Sequence, residues 1–408
     1  MSLELKIKKE TLQDAIIKAS CALGDKNDAI TTKNFGFEAR GGKLIIKASR
    51  SEVSAKVEVL ESDDMKIISE GEFVLDGYSL MGDLPNFHSK VELHVTVEES
   101  DDLVDESEME DNDDDDHNKI VHFSYKKPTG GVWNHEFSTL NDKYKPAVNF
   151  DWESDHSVSY PASLLIDNVN KTAYAASDND YRASYNVVLI DMNPDGIVFF
   201  ASDGRQSAYV KDDNFKFKSS KSALISSKII SSISQKKIFS ADSEVSMSIA
   251  DNPTNGCPRI KFEQGNLVVI SNFYENATRL PYEKIIGASD SECEFTVNPS
   301  CLKEDLNAMT KQDLKETMWR FTSDKVFITN ISYQGKKTEG EIDCVENFSG
   351  SSCELKFSLK YWENIISRSG NEDLKVSVRK KKPTEIHVSS QPVEYKFFIQ
   401  PIYDTEEY

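Results

Sequence analysis

The sequence predicts an α+β fold of three repeated domains, each made of antiparallel sheet with two helices. Three observations predict it. A strand–helix–strands–helix–strands order recurs three times along the 408 residues. Between helices the chain alternates apolar and polar residues, as antiparallel strands with one wet face do. The first helix of each unit places apolar residues at helical spacing, giving a stripe that packs on a sheet. At roughly 100–200 residues per domain, the length fits such a division.

The first domain, residues 1–150, opens with the strand "LELKIKK" and a helix over 10–23 whose stripe is Leu12, Ile16, Ala19 and Leu23. Strands follow, then a short helix "DGYSLMGDLP" over 76–85, then strands again. The second domain, 151–290, starts at "SVSYP" and continues into a helix over 162–177 striped by Leu165, Val169, Ala173 and Ala176. Its strands run through "NVVLIDM" and "GIVFFASDG", with Asp203 and Gly204 supplying a hairpin turn. A second helix is predicted over 219–235, with Leu224, Ile225, Ile229, Ile230 and Ile233 on one side. Lys221, Ser227, Lys228, Ser231 and Gln235 fall on the other. The third domain, 291–408, repeats the order with "CEFTVN", a helix over 299–310 (Leu302, Leu306, Met309), a helix over 359–370 and a closing strand "EYKFFIQPIY".

Charge is distributed unevenly. The net charge is −21, which argues against a nucleic-acid binder with a uniformly basic surface. Residues 98–116 hold thirteen acids and no base; without them 48 bases face 56 acids, a net of −8. Such a block repels itself and buries no core, so an acidic, disordered insertion is expected at about 98–118. An EF-hand loop starting at Asp111 needs Gly sixth and Glu twelfth, where Asp116 and His122 stand, so an EF-hand is excluded there, and a weak cation or basic-partner site is the alternative to a solvated insertion. Residues 214–241 are the opposite case, with six lysines and no acid. Lysines on that face suit phosphate contacts that read no sequence.

Several function classes lack their signatures. No apolar run approaches the roughly 18 residues of a membrane span. The N-terminal stretch is charged where a signal peptide is apolar, so an intracellular, cytoplasmic protein is expected. Six cysteines show no C-x-x-C and no zinc-like spacing with histidine, so free thiols and no metal are expected. No Walker loop, G-x-S-x-G, G-x-G-x-x-G or H-E-x-x-H occurs, and the seven histidines are scattered. "NFDWESDHS" (149–157) gathers acids and a histidine, but its place between two repeats makes it a linker. No enzyme and no cofactor are expected.

Read in order, the segments resemble the bacterial-type sliding clamp, the beta-subunit family of DNA polymerase III. "LKIKKETLQDAIIKASCALG" resembles the family's first strand and helix, and "DGYSLMGDLPN" its second helix. "FSTLNDKYKPAV" (137–148) resembles its S-T-L…F-P segment, and "YRASYNVVLI" (181–190) the strand after the second domain's first helix. "ASDGRQSAYV" (201–210) resembles A-T-D-G-H-R-L-A, "RLPYEKIIG" (279–287) the F-P-D-Y linker and "IQPIY" (399–403) the M-P-x-R-L terminus. No one motif is specific; their order and spacing carry the resemblance.

The resemblance implies a head-to-tail homodimer whose six domains close a ring around duplex DNA, opened by a clamp loader. Helices line the hole. Basic residues expected there are Lys18 and Lys26, then Lys171, Lys221 and Lys228, then Lys360 and Arg368. It also implies an apolar pocket for short peptides of polymerases and other DNA-handling proteins. Carried over by position, its residues are Tyr185, Ser202, Gly204, Arg205, Gln206, Ser207, Pro281, Ile285, Ile286, Phe398, Gln400, Pro401 and Ile402. Gln206 and Ser207 stand where the family usually has Arg and Leu, and Gln400 where Met is usual. The chain also continues with "DTEEY" (404–408). These departures imply altered partner specificity, as suits a clamp serving its own divergent polymerase, for instance on a phage or mobile element. The alternative is a non-replicative scaffold or decoy on the same fold.

Overall fold

A computed structural model describes residues 3–99, 119–146, 148, 150, 157–178, 181–250, 258–286, 291–308, 317–322, 325–331, 337–342, 345–379, 382–388 and 393–402. The acidic insertion, most of the 149–157 linker, Met309 and the "DTEEY" end lie outside these residues.

The first repeat contains β1 (Glu4–Lys8), α1 (Lys9–Ala19), β2 (Asn34–Arg40), β3 (Lys43–Arg50), β4 (Val53–Leu60), β5 (Met65–Ser69), β6 (Gly71–Asp76), α2 (Gly77–Asp83), β7 (Glu92–Glu99), β8 (Lys119–Lys126) and β9 (Val132–Ser138). The second contains β10 (Ser157–Pro161), α3 (Ala162–Thr172), β11 (Val187–Asn193), β12 (Gly196–Ser202), β13 (Gln206–Asp212), β14 (Lys221–Ser226), α4 (Ser227–Ile233), β15 (Glu244–Ala250), β16 (Arg259–Gln264) and β17 (Leu267–Asn272). A short α5 (Glu283–Ile286) follows. The third contains β18 (Cys293–Val297), α6 (Pro299–Ala308), β19 (Thr317–Phe321), β20 (Val326–Ile331), β21 (Lys337–Ile342), β22 (Val345–Gly350), β23 (Cys353–Phe357), α7 (Leu359–Ile366), β24 (Leu374–Val378), β25 (Thr384–Val388) and β26 (Val393–Ile399).

The chain folds into two compact units, one of residues 1–163 with 235–272, the other of 164–234 with 273–408. The first unit holds an eight-stranded sheet, β10-β15-β16-β17-β4-β3-β2-β6, and a five-stranded one, β5-β1-β7-β8-β9. The second holds a nine-stranded sheet, β14-β11-β12-β13-β26-β25-β24-β18-β22, and a four-stranded one, β21-β20-β19-β23. The two large sheets share one plan. The half-sheet β6-β2-β3-β4 of the first repeat joins β17-β16-β15-β10 of the second through the antiparallel β4–β17 pair. The half-sheet β14-β11-β12-β13 of the second repeat joins β26-β25-β24-β18 of the third through β13–β26.

Helical stripes bury as the spacing predicts. Leu12, Ile16 and Ala19 of α1 are buried, as is Leu23 beyond it. Leu165 and Val169 of α3 are buried, and so are Leu302 and Leu306 of α6. The predicted helix over 219–235 is a correction. Residues Lys221–Ser226 form β14 and pair with β11, Val188 opposite Ile225 and Ile190 opposite Ala223. Only Ser227–Ile233 is helical, and Ser227 faces inward. The serines and β-branched residues there have weak helix preference, and an open sheet edge outcompetes it. Lys221 is thus a strand residue, while Lys228 stays exposed on α4. Cys21 and Cys293 are buried free thiols and Cys353 is free and half-buried. The expectation of free thiols throughout fails at Cys301, which is disulfide-bonded.

Candidate functional site

The β12–β13 corner is built by its own side chains. Asp203 Oδ1 accepts hydrogen bonds from the backbone N–H of Arg205 and Gln206, each at 2.7 Å, which fixes the turn. Ser202 Oγ accepts from the Gly204 N–H at 3.0 Å and donates to the Gln206 carbonyl at 2.9 Å. Ser207 Oγ donates to Ser202 Oγ at 2.8 Å. Gly204 has φ +86°, a region glycine enters without strain. An added Cβ there would lie 3.3 Å from the ring of Tyr185, over which the Arg182 guanidinium stacks at 4.1 Å. The Gln400 N–H donates to the Arg205 carbonyl at 2.7 Å, which ties the C-terminal segment beside the corner, and the Ile402 N–H donates to the Lys356 carbonyl of β23 at 2.8 Å.

Strand alternation sends the carried-over residues to two faces. Ser202, Ser207 and Phe398 share one face with Leu189, Val198, Phe200 and Tyr209. There Leu189, Val198, Phe200, Tyr209, Tyr282 and Phe398 form a buried cluster, with Leu224, Leu280, Ile285 and Ile286 packed against it. Tyr282 is the centrepiece, 5.6 Å from Phe200 and 5.7 Å from Tyr209 between ring centroids. Gln206 lies on the opposite face, near the Tyr174 carbonyl and Asn364 at 3.5 Å each. Pro281 is exposed, and Pro401 is buried. Two of the polar departures, Gln206 and Ser207, therefore alter the apolar face less than their residue types imply. Gln206 points away from it, and the Ser207 hydroxyl is satisfied by Ser202.

Sequence reasoning missed the group that holds the 279–286 segment. Asp191 is 2% exposed. Its carboxylate accepts from Ser222 Oγ at 2.5 Å, Tyr282 OH at 2.9 Å, and Arg279 Nη2 at 2.7 Å and Nε at 3.2 Å. Burial pushes its carboxyl up, but these hydrogen bonds and the Arg279 charge outweigh burial and hold it below the usual value. Arg279 also pairs with Glu283, one helical turn on. The available signal was an acid inside the apolar run "VVLIDM" and an Arg-x-x-Tyr in "RLPYE".

The cations predicted to face DNA divide between paired and open ones. Lys18 pairs with Asp14 at 2.7 Å and Lys171 with Asp167 at 2.8 Å, both one helical turn apart. In both pairs the lysine is half-buried and the acid exposed. Lys26 lies in an exposed turn after α1, and Lys228 and Lys360 are exposed on α4 and α7. Arg368 is held inward. Its guanidinium stacks 4.0 Å from the Tyr174 ring centre and donates to the carbonyls of Asn170 and Asn364. Lys171, whose carbonyl accepts from Tyr395 OH at 2.9 Å, lies in the same cluster. Among the described residues no group of three His, Cys, Asp or Glu side chains is placed to hold a metal ion. Among them, too, no helix is long and apolar enough to cross a membrane.

No protein-family model and no curated protein matches the sequence. Solved structures do. The DNA polymerase III subunit beta of Pseudomonas aeruginosa superposes with a TM-score of 0.81 at 16% identity, over 98% of this chain and 100% of that one. The Thermotoga maritima beta subunit gives 0.79 at 17%, over 99% and 100%. The Bacillus subtilis DNA polymerase sliding clamp gives 0.80 at 15%, over 99% and 100%. The chain has the fold of the DNA polymerase III beta-subunit sliding clamps, along its whole described length.

Proposed function

We propose that the chain is a DNA sliding clamp, a non-enzymatic processivity factor that closes around duplex DNA as a head-to-tail homodimer. One observation carries the reading. Each large sheet is completed by joining one repeat's half-sheet to the next repeat's complementary half. Among the described residues two halves remain without counterparts: β23-β19-β20-β21 of the third repeat and β9-β8-β7-β1 of the first. They match the two halves joined elsewhere, so a second copy supplies what each lacks. Joining β21 of one copy to β9 of the other, twice, closes a two-fold ring of six domains. The edge at β9 carries Val132 at 66% and Trp133 at 48% exposure, apolar residues that an unpaired edge strand ordinarily avoids.

Within this reading the exposed lysines touch phosphates loosely, without reading sequence, and the ring supplies retention. The outer side of the 279–286 segment, where Pro281 is exposed and Ile285 and Ile286 are half-buried, together with the β12–β13 corner receives short peptides from a polymerase, a clamp loader and other DNA-handling proteins in the bacterial cytoplasm or nucleoid. The test is retention on DNA. The protein, loaded on a nicked circular plasmid, is expected to stay on the circle through a salt wash and to leave when the circle is linearised. Solution scattering should give twice 46.0 kDa and a hollow profile. A monomer at all concentrations, or equal loss from circle and line, overturns the proposal.

A further inference from the structure

The repetition of the sheet plan brings a second corner into view. The β3–β4 corner occupies in the first unit the place that β12–β13 occupies in the second. In both, a serine pair flanks four turn residues: Ser49 opposite Ser54, and Ser202 opposite Ser207. In both the two hydroxyls meet at 2.8 Å. In both, the end of the joining strand bonds back to the turn: Gln400 N–H, just beyond β26, to the Arg205 carbonyl at 2.7 Å, and Asn272 N–H, the last residue of β17, to the Glu52 carbonyl at 2.9 Å.

The chemistry of the two corners is inverted. Where the second has Asp203, accepting from its own turn's N–H groups, the first has Arg50, which carries donors only and cannot accept from them. Arg50 is half-buried, and its buried Nε has no hydrogen-bond partner among the described residues. The Ser202 hydroxyl gives its proton to the Gln206 carbonyl. The Ser49–Ser54 pair makes no such backbone bond among the described residues, which leaves one hydroxyl proton to donate. Over this corner opens a cleft of about 540 Å³, which Arg50, Arg259 and the serine pair line with one acid, Glu52, and with Lys145, itself paired with Glu72. Val148, half-buried, supplies an apolar patch in its wall. The volume falls in the range of small-molecule sites, far above that of a lone ion.

We propose that this cleft is a second ligand site, which takes the phosphate group of a nucleotide-sized ester. An arginine fork with hydroxyl donors matches a tetrahedral oxyanion, and the apolar wall takes the attached group. The proposal rests on the repeated sheet plan and not on the clamp reading.

The experiment is equilibrium dialysis of the full chain with radiolabelled AMP, in competition with inorganic phosphate or with adenosine. Saturable binding in the micromolar-to-millimolar range is expected, displaced by phosphate and not by adenosine. Arg50→Gln should weaken it about tenfold or more, with unchanged thermal unfolding. Should that variant misfold, the Ser49→Ala/Ser54→Ala pair is expected to weaken binding severalfold in the same assay. Absence of saturable binding at millimolar AMP overturns the proposal, as does binding that a folded Arg50→Gln leaves unchanged. Displacement by adenosine alone, or by a glutamate-rich peptide but not by phosphate, also overturns it.

Discussion

Asp191 shows how one buried carboxylate sets the position of a whole segment. It accepts from Ser222, Arg279 and Tyr282, and Tyr282 in turn fills the apolar cluster beneath α5. Asp191→Asn leaves shape nearly unchanged but removes the charge that Arg279 faces. Arg279 is about one-third exposed (36%), so solvent takes up part of the loss. A destabilisation of about 1–3 kcal/mol is expected, read by denaturant unfolding. Because the folded carboxyl titrates below its ordinary 3.8, the network stabilises fully above that value and is lost as pH falls through the lower, folded one. The wild type should therefore lose stability on acidification below about pH 4, while the Asn variant shows a flatter acid limb. An identical acid limb in both would refute the assignment. At this scale the sequence was partly legible. The Asp203–Gly204 turn was readable from residue type, because its geometry is local. Which face Gln206 and Ser207 take is set by register, and the partners of Asp191 come from 31, 88 and 91 residues away.

Elements were legible where periodicity and pairing agree. The stripes of α1, α3 and α6 needed only local spacing, and their helices form. Residues 219–235 offered the same spacing, yet β11 presents an open edge and captures Lys221–Ser226 as β14. No pattern inside that segment reports the edge, because the edge is made by distant chain. Edges also carry the next prediction. β9 ends the five-stranded sheet, and its Trp133, His135 and Phe137 continue an aromatic row with Tyr125 and Phe123. The Trp133 ring is held under Lys127 at 3.6 Å and remains half in water. If β9 meets β21 of a second copy, Trp133 is the apolar anchor of that contact. Trp133→Glu should then raise the dimer dissociation constant by about thirtyfold or more, seen in sedimentation equilibrium, with the circular-dichroism spectrum kept. Unaltered self-association with Glu at 133 would place the interface elsewhere.

On the scale of the whole molecule, a net charge of −21 and a DNA partner are compatible only if charge is segregated. Thirteen of the 69 acids sit in residues 98–116, while 214–241 holds six lysines without an acid. A ring that encircles DNA needs no tight contact, since leaving a closed circle requires opening. Contact strength and retention are therefore separable quantities, and they respond differently to salt. Phosphate contacts contribute a slope of about −0.9 per contact to the logarithm of affinity against the logarithm of salt. Lys228 is exposed on α4, and Lys221 is half-buried on the adjoining β14. Lys221→Ala with Lys228→Ala should weaken DNA retention without changing the unfolding temperature. It should also flatten the salt slope by up to roughly 1.8. The same variant should still distinguish a closed circle from a linear duplex, because closure does not depend on those lysines. A slope identical to wild type would remove both from the DNA-facing surface. Loss of the circle–line difference would mean instead that contacts, not topology, had been holding the protein on DNA.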